Sequence, residues 1–544
     1  MERPRSDVYD YIIIGAGAAG CVLANRLSGD PSCRVLLLEA GGRDLRREIR
    51  IPAAFTKLFK TAYDWNLETL AQERLRGRRL YWPRGKTLGG STSLNAQMYV
   101  RGHRLDYDGW ADLGNPGWAF DDVLTYFRRA ERMQGGVAAL HGADGPLNVE
   151  PLRDPNPTTP AFLRAAAESG LPLLDGPNDG SREGVGLSRV TQRRGRRWSA
   201  ADAYLTPVRR RANLTILTDA HATRLTIERR RATGVRYVNA GQSRLARARR
   251  EVILAAGAIH SPHLLMHSGI GPAAHLRARG VDVVHDLPGV GQNLQDHLAV
   301  AVIVGCREPV SLVAAETIGN LARFLLLRRG MLTSNIGEAC AFVRSRLDLP
   351  APDLELLFAP VPFMGHGLVK PPGHGITIGA VCLQPKSTGF IGLGSSDPLA
   401  APEIEPRYLS DPGDEDLRVL VDGVKRARRI FRAPAFARYV ADPIEPGPDV
   451  QIDRDIADFI RDRAETLYHP VGTCRMGRDA AAVVDSELRV HGIEALRVVD
   501  ASVMPAIIRG HTAAPTIMIA ERAADLIRSA DRPYAAAHEA LGRG

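Results

Sequence analysis

Residues 11–20 read Tyr-Ile-Ile-Ile-Gly-Ala-Gly-Ala-Ala-Gly, and residues 35–42 read Val-Leu-Leu-Leu-Glu-Ala-Gly-Gly. The pattern is a buried strand, a glycine turn, a helix and a second buried strand ending in an acid. Such a unit holds the ADP half of a dinucleotide. Gly15 allows the tight turn, Gly17 lets the backbone approach the pyrophosphate, and Gly20 lets the helix lie close to the strand. The helix start then presents unpaired amides and the positive dipole end to the phosphates. Glu39 stands 24 residues after Gly15, where a carboxylate can accept hydrogen bonds from a ribose diol. No second fingerprint with flanking strands follows, and a single nucleotide site suggests a resident flavin over two exchanging cofactors.

A chain of 544 residues with 44% hydrophobic content can bury several domains' worth of core. No run of about 18 apolar residues is present, so no membrane-spanning helix is expected. The short polar lead before Tyr11 leaves no room for a secretory signal, and a cytoplasmic location is the expectation. Six scattered cysteines lack metal-type or redox-type spacing, so neither zinc nor a disulfide framework is expected. The formal charge is +10, with only six lysines among 71 basic residues. Arginine clusters at 193–197, 209–211, 229–231 and 244–250 with few aromatics between them, which reads as solvated surface and not a nucleic-acid groove. Contact with anionic lipid headgroups stays open.

Beyond the first unit, residues 41–82 are too long for a simple connection and are expected to wrap the cofactor or form part of a lid. A second glycine-rich segment, 83–102, carries Gly89 and Gly90 with short donors at Ser91, Thr92, Ser93 and Asn95. Periodicity predicts a helix within 119–133, a strand at 214–217, a hairpin over 220–238 turning near Gly234, and a strand at 251–255 running through Ala256-Gly257 into a helix. From 300 to 464, strand-like pieces alternate with helices, as in an α+β domain built on an antiparallel sheet. The end returns to the nucleotide style, with a strand at 495–499, Asp500, and a helix from Thr516. The fold class read from these elements is an α/β Rossmann-like domain plus an α+β domain, and the family resemblance carried by the motifs below implies that the first is FAD-binding, of the glutathione-reductase type, and the second a substrate domain. Residues 1–155, 200–299 and 465–544 are assigned to the first, and 156–199 and 300–464 to the cap.

Two histidines stand in loops of small residues near the C-terminus: His469 in Tyr-His-Pro-Val-Gly-Thr, and His511 in Arg-Gly-His-Thr-Ala-Ala. Imidazole titrates near neutrality and suits removal of a hydroxyl proton. With these motifs, and with Gly257–Gly271, Pro288–His297 and Val499–Pro505, the chain resembles the glucose–methanol–choline (GMC) oxidoreductases, especially their choline-dehydrogenase-like bacterial members. That resemblance implies an FAD-dependent oxidation of an alcohol to an aldehyde or ketone, by hydride transfer to flavin N5. His469 matches the family's catalytic histidine and His511 its partner position, so the base lies within this pair. Gly15, Gly17, Ala18, Ala19, Gly20, Glu39 and Ala40 would hold the ADP moiety. Trp65, Arg84, Gly85, Leu88, Gly89, Gly90, Ser91, Asn95 and Ala96 would lie along the rest of the cofactor. Ala222 would face adenine, with Ala256, Gly257, Asp500, Ala501, His511 and Thr512 completing the site.

Two departures from the family pattern carry expectations. Leu94 occupies the position that attaches flavin covalently in choline oxidase, so noncovalent FAD is expected. Ala513 replaces an asparagine usual in choline dehydrogenases, which removes a polar contact and speaks against choline. An aromatic pocket could be drawn from Tyr63, Trp65, Phe358 and Phe363. His260 and His297 read as structural. The electron acceptor is expected to be a quinone, a carrier protein or O2, with a dehydrogenase favoured over a peroxide-producing alcohol oxidase. A hydroxynitrile-lyase-type reaction on the same scaffold is the non-redox alternative.

Overall fold

The computed structural model describes residues 7–136, 139–178 and 183–541. Its first sheet grows outward from strand Val8–Ile14, buried at every position but the first. That strand pairs in parallel with Val35–Leu38 on one side and with the end of the long strand Gln242–Leu254 on the other. Leu214–Leu217 and Leu496–Val498 extend the two flanks, also in parallel. Each fully buried isoleucine or leucine here contributes on the order of 1.5–3 kcal/mol of apolar burial. Five parallel carboxyl ends therefore meet along one edge, where open α/β sheets form a crevice. Gly15 makes the first turn at φ +100°, and a Cβ there would lie 2.5 Å from the Ala255 carbonyl oxygen. Helix Ala18–Leu27 follows and packs on the C-terminal helix Ala513–Leu541.

The hairpin expected over 220–238 is present as Ala220–Glu228 and Arg231–Asn239, but its turn is not at Gly234. Arg229 and Arg230 make the turn at φ 49° and 64°, the left-handed pair of a two-residue hairpin loop. Gly234 lies inside the second strand, where a Cβ would come within 2.1 Å of the Ala246 carbonyl oxygen. Its glycine answers to close backbone approach, not to a turn.

The second sheet is antiparallel, in the order Val440–Glu445, Leu298–Cys306, Gly375–Cys382, Leu354–Ala359, Ala339–Val343, Gly184–Leu187. Alternation sorts its side chains. Leu354, Leu356, Phe358 and Ala380 face outward; Gly423 of helix Glu415–Phe431 packs on Leu354 and Ala380, and Phe358 stacks on Phe162 at 4.7 Å. Leu357, Ala359, Thr377, Gly379 and Val381 face the other way, into a cavity shared with the parallel sheet. The two-residue strand Glu465–Thr466 pairs with Leu298 and Ala299. This pairing brings the segment after Thr466 beside the segment before Leu298, and the candidate site lies there.

Candidate active site

A cavity of about 720 Å³ runs from the crevice of the parallel sheet to the inner face of the antiparallel one. At the crevice end it is walled by Gly15, Gly17, Ala18, Ala19, Glu39, Ala40, Trp65, Ala222, Ala256 and Gly257. Arg84, Gly85, Gly90, Ser91, Asn95, Ala96, Asp500, Ala501, His511 and Thr512 continue the wall. Gly20, Leu88 and Gly89 are outside it. A Cβ on Gly20 would strike the Gly15 carbonyl oxygen at 1.8 Å, so this glycine serves helix–strand packing. The Gly89 amide donates to the Ala16 carbonyl at 2.8 Å, and Leu88 packs against the hydrophobic core.

The donor set fits the diphosphate and ribose of a dinucleotide. No side chain caps the helix at Gly17, and the nearest heavy atom to a Cβ there would be 3.9 Å away. The first-turn amides are therefore left for an anionic ligand. Gly257, at φ +83°, also has open space where a side chain would stand. Glu39 accepts from the Ala16 and Gly41 amides, each at 2.8 Å. Burial raises its carboxyl to about 7, against those two amides. Asp500 accepts from Ser261 Oγ at 2.6 Å and from the Gly257 amide at 2.9 Å, which ties the last parallel strand to the glycine turn beside it.

His469 and His511 meet at the inner face of the antiparallel sheet, with ring centroids 5.0 Å apart. Asp296 fixes the first loop: Oδ1 accepts from the His469 amide at 2.7 Å, and Oδ2 accepts from Thr466 Oγ1 at 2.6 Å and from Tyr408. The Leu467 amide donates to the His297 carbonyl at 2.8 Å. His511 is held from the opposite side, its Nε2 lying 3.1 and 3.2 Å from the two carboxylate oxygens of fully buried Glu355. Charge-assisted bonds of this kind contribute about 1.5–3 kcal/mol. Next to His511, the Arg509 amide and guanidinium both donate to Asp106.

His297, expected to be structural, is fully buried behind the cavity wall and supports His469 from there. Its Nε2 lies 3.1 Å from the Leu383 carbonyl oxygen and its Nδ1 3.0 Å from His469 Nδ1. Burial and the neighbouring His511 push its imidazole down to about 3, so the ring is neutral. A carbonyl oxygen only accepts, so the single proton of His297 is on Nε2 and its Nδ1 is bare. His469 must then donate from Nδ1, which leaves its own Nε2 lone pair free. Burial, with His511, His297 and Arg84 nearby, holds His469 well below the ordinary imidazole range. The free nitrogen therefore stays unprotonated near neutral pH.

The remaining expected residues divide between the two ends. Trp65 packs on His260 with ring centroids 4.1 Å apart and the rings tilted, and meets His221 edge-on at 5.4 Å, both beside Ala222 at the crevice end. Tyr63 packs behind Phe55, Leu94 and Phe363 without lining the cavity itself, and Phe358 faces out of the cavity. The four aromatics therefore do not form one pocket; only Phe363 reaches the histidine end. Sequence reasoning did not single out Glu355, although a carboxylate inside the strand Leu-Glu-Leu-Leu-Phe was a signal, since a buried acid requires a partner. Arg197, assigned with its cluster to the solvated surface, is fully buried. It donates to the Ile49 carbonyl at 2.9 Å, the Thr92 carbonyl at 3.1 Å and Asn95 Oδ1 at 2.7 Å. All six cysteines are free thiols, and no three acid, histidine or cysteine side chains group as a metal site among the described residues. No described helix is long and apolar enough to cross a membrane.

The family models of GMC oxidoreductase match residues 9–299 and 385–520. The chain belongs to the GMC oxidoreductases, FAD-dependent enzymes acting on the CH–OH group of donors. It is 46% identical over 530 residues to an alcohol dehydrogenase [acceptor] of Pseudomonas putida, covering 96% of each chain. It is 43% identical over 540 residues to human mitochondrial choline dehydrogenase, covering 96% of this chain and 90% of that one. Among solved structures, pyridoxine 4-oxidase from Mesorbium loti superposes with a TM-score of 0.87 at 35% identity, over 95% of this chain and 98% of that one.

Proposed function

We propose that this enzyme oxidises an uncharged, predominantly apolar alcohol to the aldehyde or ketone, with noncovalently bound FAD, and that it works as a dehydrogenase. In this reading residues 1–155, 200–299 and 465–544 hold the cofactor, and 156–199 and 300–464 cover it. The observation that carries it is the free Nε2 of a neutral His469 beside His511 at the cavity wall. Bound FAD supplies the acceptor for the hydride that leaves the alcohol carbon. His469 Nε2 takes the hydroxyl proton while its Nδ1–H stays on His297, so the ring becomes an imidazolium without turning. His511, fixed through Nε2 by Glu355, is the second imidazole against the reacting oxygen. Leu94 is buried in the wall and has no nucleophile, which supports a noncovalent cofactor.

The walls at the histidine end argue for the substrate class. Phe55, Phe59, Met98, Ile336, Leu357 and Phe363 line them. The carboxylates nearby are already paired: Glu445 with Arg463 at 3.4 Å, Asp462 with Arg76 at 2.8 Å, and Glu465 with Arg78. None is left to neutralise a quaternary ammonium. Similarity to the acceptor-linked alcohol dehydrogenase supports an acceptor other than O2. The test is anaerobic stopped-flow bleaching of the flavin with benzyl alcohol. His469→Ala should slow it by on the order of a hundredfold or more while FAD content is kept. Bleaching at the wild-type rate in that variant would overturn the assignment.

A further inference from the structure

Helix Ile318–Leu327 lies on the antiparallel-sheet side of the molecule with its apolar residues turned to solvent. Ile318, Leu325, Leu326 and Leu327 are 88%, 53%, 81% and 63% exposed, and of this helix only Phe324 is buried. The helix is nonetheless well made. Thr317 caps it by accepting from the Asn320 amide at 3.1 Å, and Arg328 closes it in the left-handed conformation. Monomeric proteins rarely leave so many large aliphatic side chains together in water.

The charges around this helix are mainly basic, and the acids at its two ends are paired, Glu316 with Lys57 at 2.9 Å and Asp154 with Arg329 at 2.8 Å. Between Glu316 and Glu338 the chain has no acid, but it has Arg323, Arg328 and Arg329. The Arg193–Arg197 turn packs against the helix end, since a Cβ on Gly195 would lie 2.9 Å from the Arg328 carbonyl oxygen. It adds exposed Arg193 and Arg194 to the rim. Leucines ringed by arginines match the boundary of an anionic bilayer, where the aliphatic chains enter and the guanidinium groups stay among the headgroups. A second copy of the chain fits poorly, because a two-fold interface on this helix would set like arginine clusters against each other.

The helix is also joined to the cavity mouth. Phe324 and Leu332 pack with Ile51, Ala53 and Ile336, and Ile336 continues into the cavity wall with Phe55 and Phe363. Val369 lines the cavity and is 51% exposed, next to exposed Leu368. A Cβ on Gly367 would lie 2.9 Å from Thr56, in the short helical turn Pro52–Leu58 that carries Ala53 and Phe55. We infer that this arginine-rimmed helix, with Leu368 and Val369, docks the enzyme on an anionic membrane surface with its cavity mouth toward the lipid.

The test is co-sedimentation of the FAD-loaded full chain with vesicles of phosphatidylcholine, with and without phosphatidylglycerol. Wild type should partition several-fold better onto the anionic vesicles. The triple variant Leu325→Ser, Leu326→Ser, Leu327→Ser should lose about tenfold or more of that partition. Leu347→Ser, an equally exposed leucine outside the helix, should lose none. Arg194→Gln with Arg323→Gln should abolish the preference for phosphatidylglycerol. Equal partition of the triple variant and wild type would overturn the inference, as would wild type that stays in the supernatant. So would a triple variant that turns a dimer into a monomer while wild type ignores vesicles, since the face would then join two copies. The readout involves no alcohol turnover, so its failure leaves the proposed oxidation standing, and the reverse also holds.

Discussion

His297 and His469 are 172 residues apart and face each other through Nδ1 atoms at 3.0 Å. What His297 does is set by the Leu383 carbonyl behind it, which claims the one proton of a neutral ring. Replacing His297 with Phe keeps an aromatic ring but removes the acceptor for His469 Nδ1–H. The His469 proton is then free to settle on either nitrogen, and part of the population loses its free Nε2. Flavin reduction by alcohol should slow on the order of tenfold or more, within the ~10²–10⁴ that a positioned base contributes, at unchanged FAD stoichiometry. His297→Asn, whose carbonyl can still accept, should recover part of the rate. Equal rates in wild type and His297→Phe, measured by anaerobic stopped flow, would remove His297 from the mechanism. At this scale His469 and His511 were legible as loop imidazoles among small residues. The contributions of His297 and Glu355 were not, because each depends on a partner over 150 residues away that local sequence does not name.

Helix Gly257–His267 carries three histidines toward the crevice end of the cavity, and burial pushes all three down: His260 to about 3, His263 to about 2 and His267 to about 4. His263 and His267 also lie Nε2 to Nε2 at 3.2 Å, so a second proton on the pair meets direct repulsion. In the unfolded chain these rings protonate at the ordinary value near 6.5, which the folded chain resists. Below that pH the unfolded state binds more protons, so the stability they contribute is complete above about 6.5 and declines as pH falls toward 4. The melting temperature of the holoenzyme should drop across that window, and His263→Gln with His267→Gln should flatten the drop. An unchanged slope in the double variant would show that other groups govern acid stability. Element by element, periodicity located the strand at 214–217 and the helix that follows Ala256-Gly257. It misplaced the hairpin turn at Gly234. Glycine is required both where φ is positive and where backbones crowd, and sequence does not separate the two.

For the whole molecule, the first 42 residues already implied the parallel sheet, because buried strands around a glycine turn and an acid at the second strand's tip have few other arrangements. The antiparallel sheet was legible as a texture, but its strand order was not. Residues 184–187 join it beside 339–343, a pairing with no local signal. The inner strands Leu298–Cys306, Leu354–Ala359 and Gly375–Cys382 supply the cavity's apolar face, and from it comes the expected substrate preference. A choline cation entering there would lose water while the nearby carboxylates are committed to arginines, to His511 or, for Asp296, to Thr466, Tyr408 and the His469 amide. An uncompensated buried charge costs several kcal/mol, and each 1.36 kcal/mol is a factor of ten in rate. Aliphatic and aromatic primary alcohols should therefore reduce the flavin with kcat/KM on the order of a hundredfold or more above choline, measured anaerobically with an artificial quinone acceptor. Replacing Leu357 with Glu would place an unpaired carboxylate in that wall. Choline turnover should then rise while turnover of hexanol falls. If choline instead matches hexanol in the wild-type enzyme, the paired carboxylates do not govern selectivity and the cavity's charge balance has to be read differently.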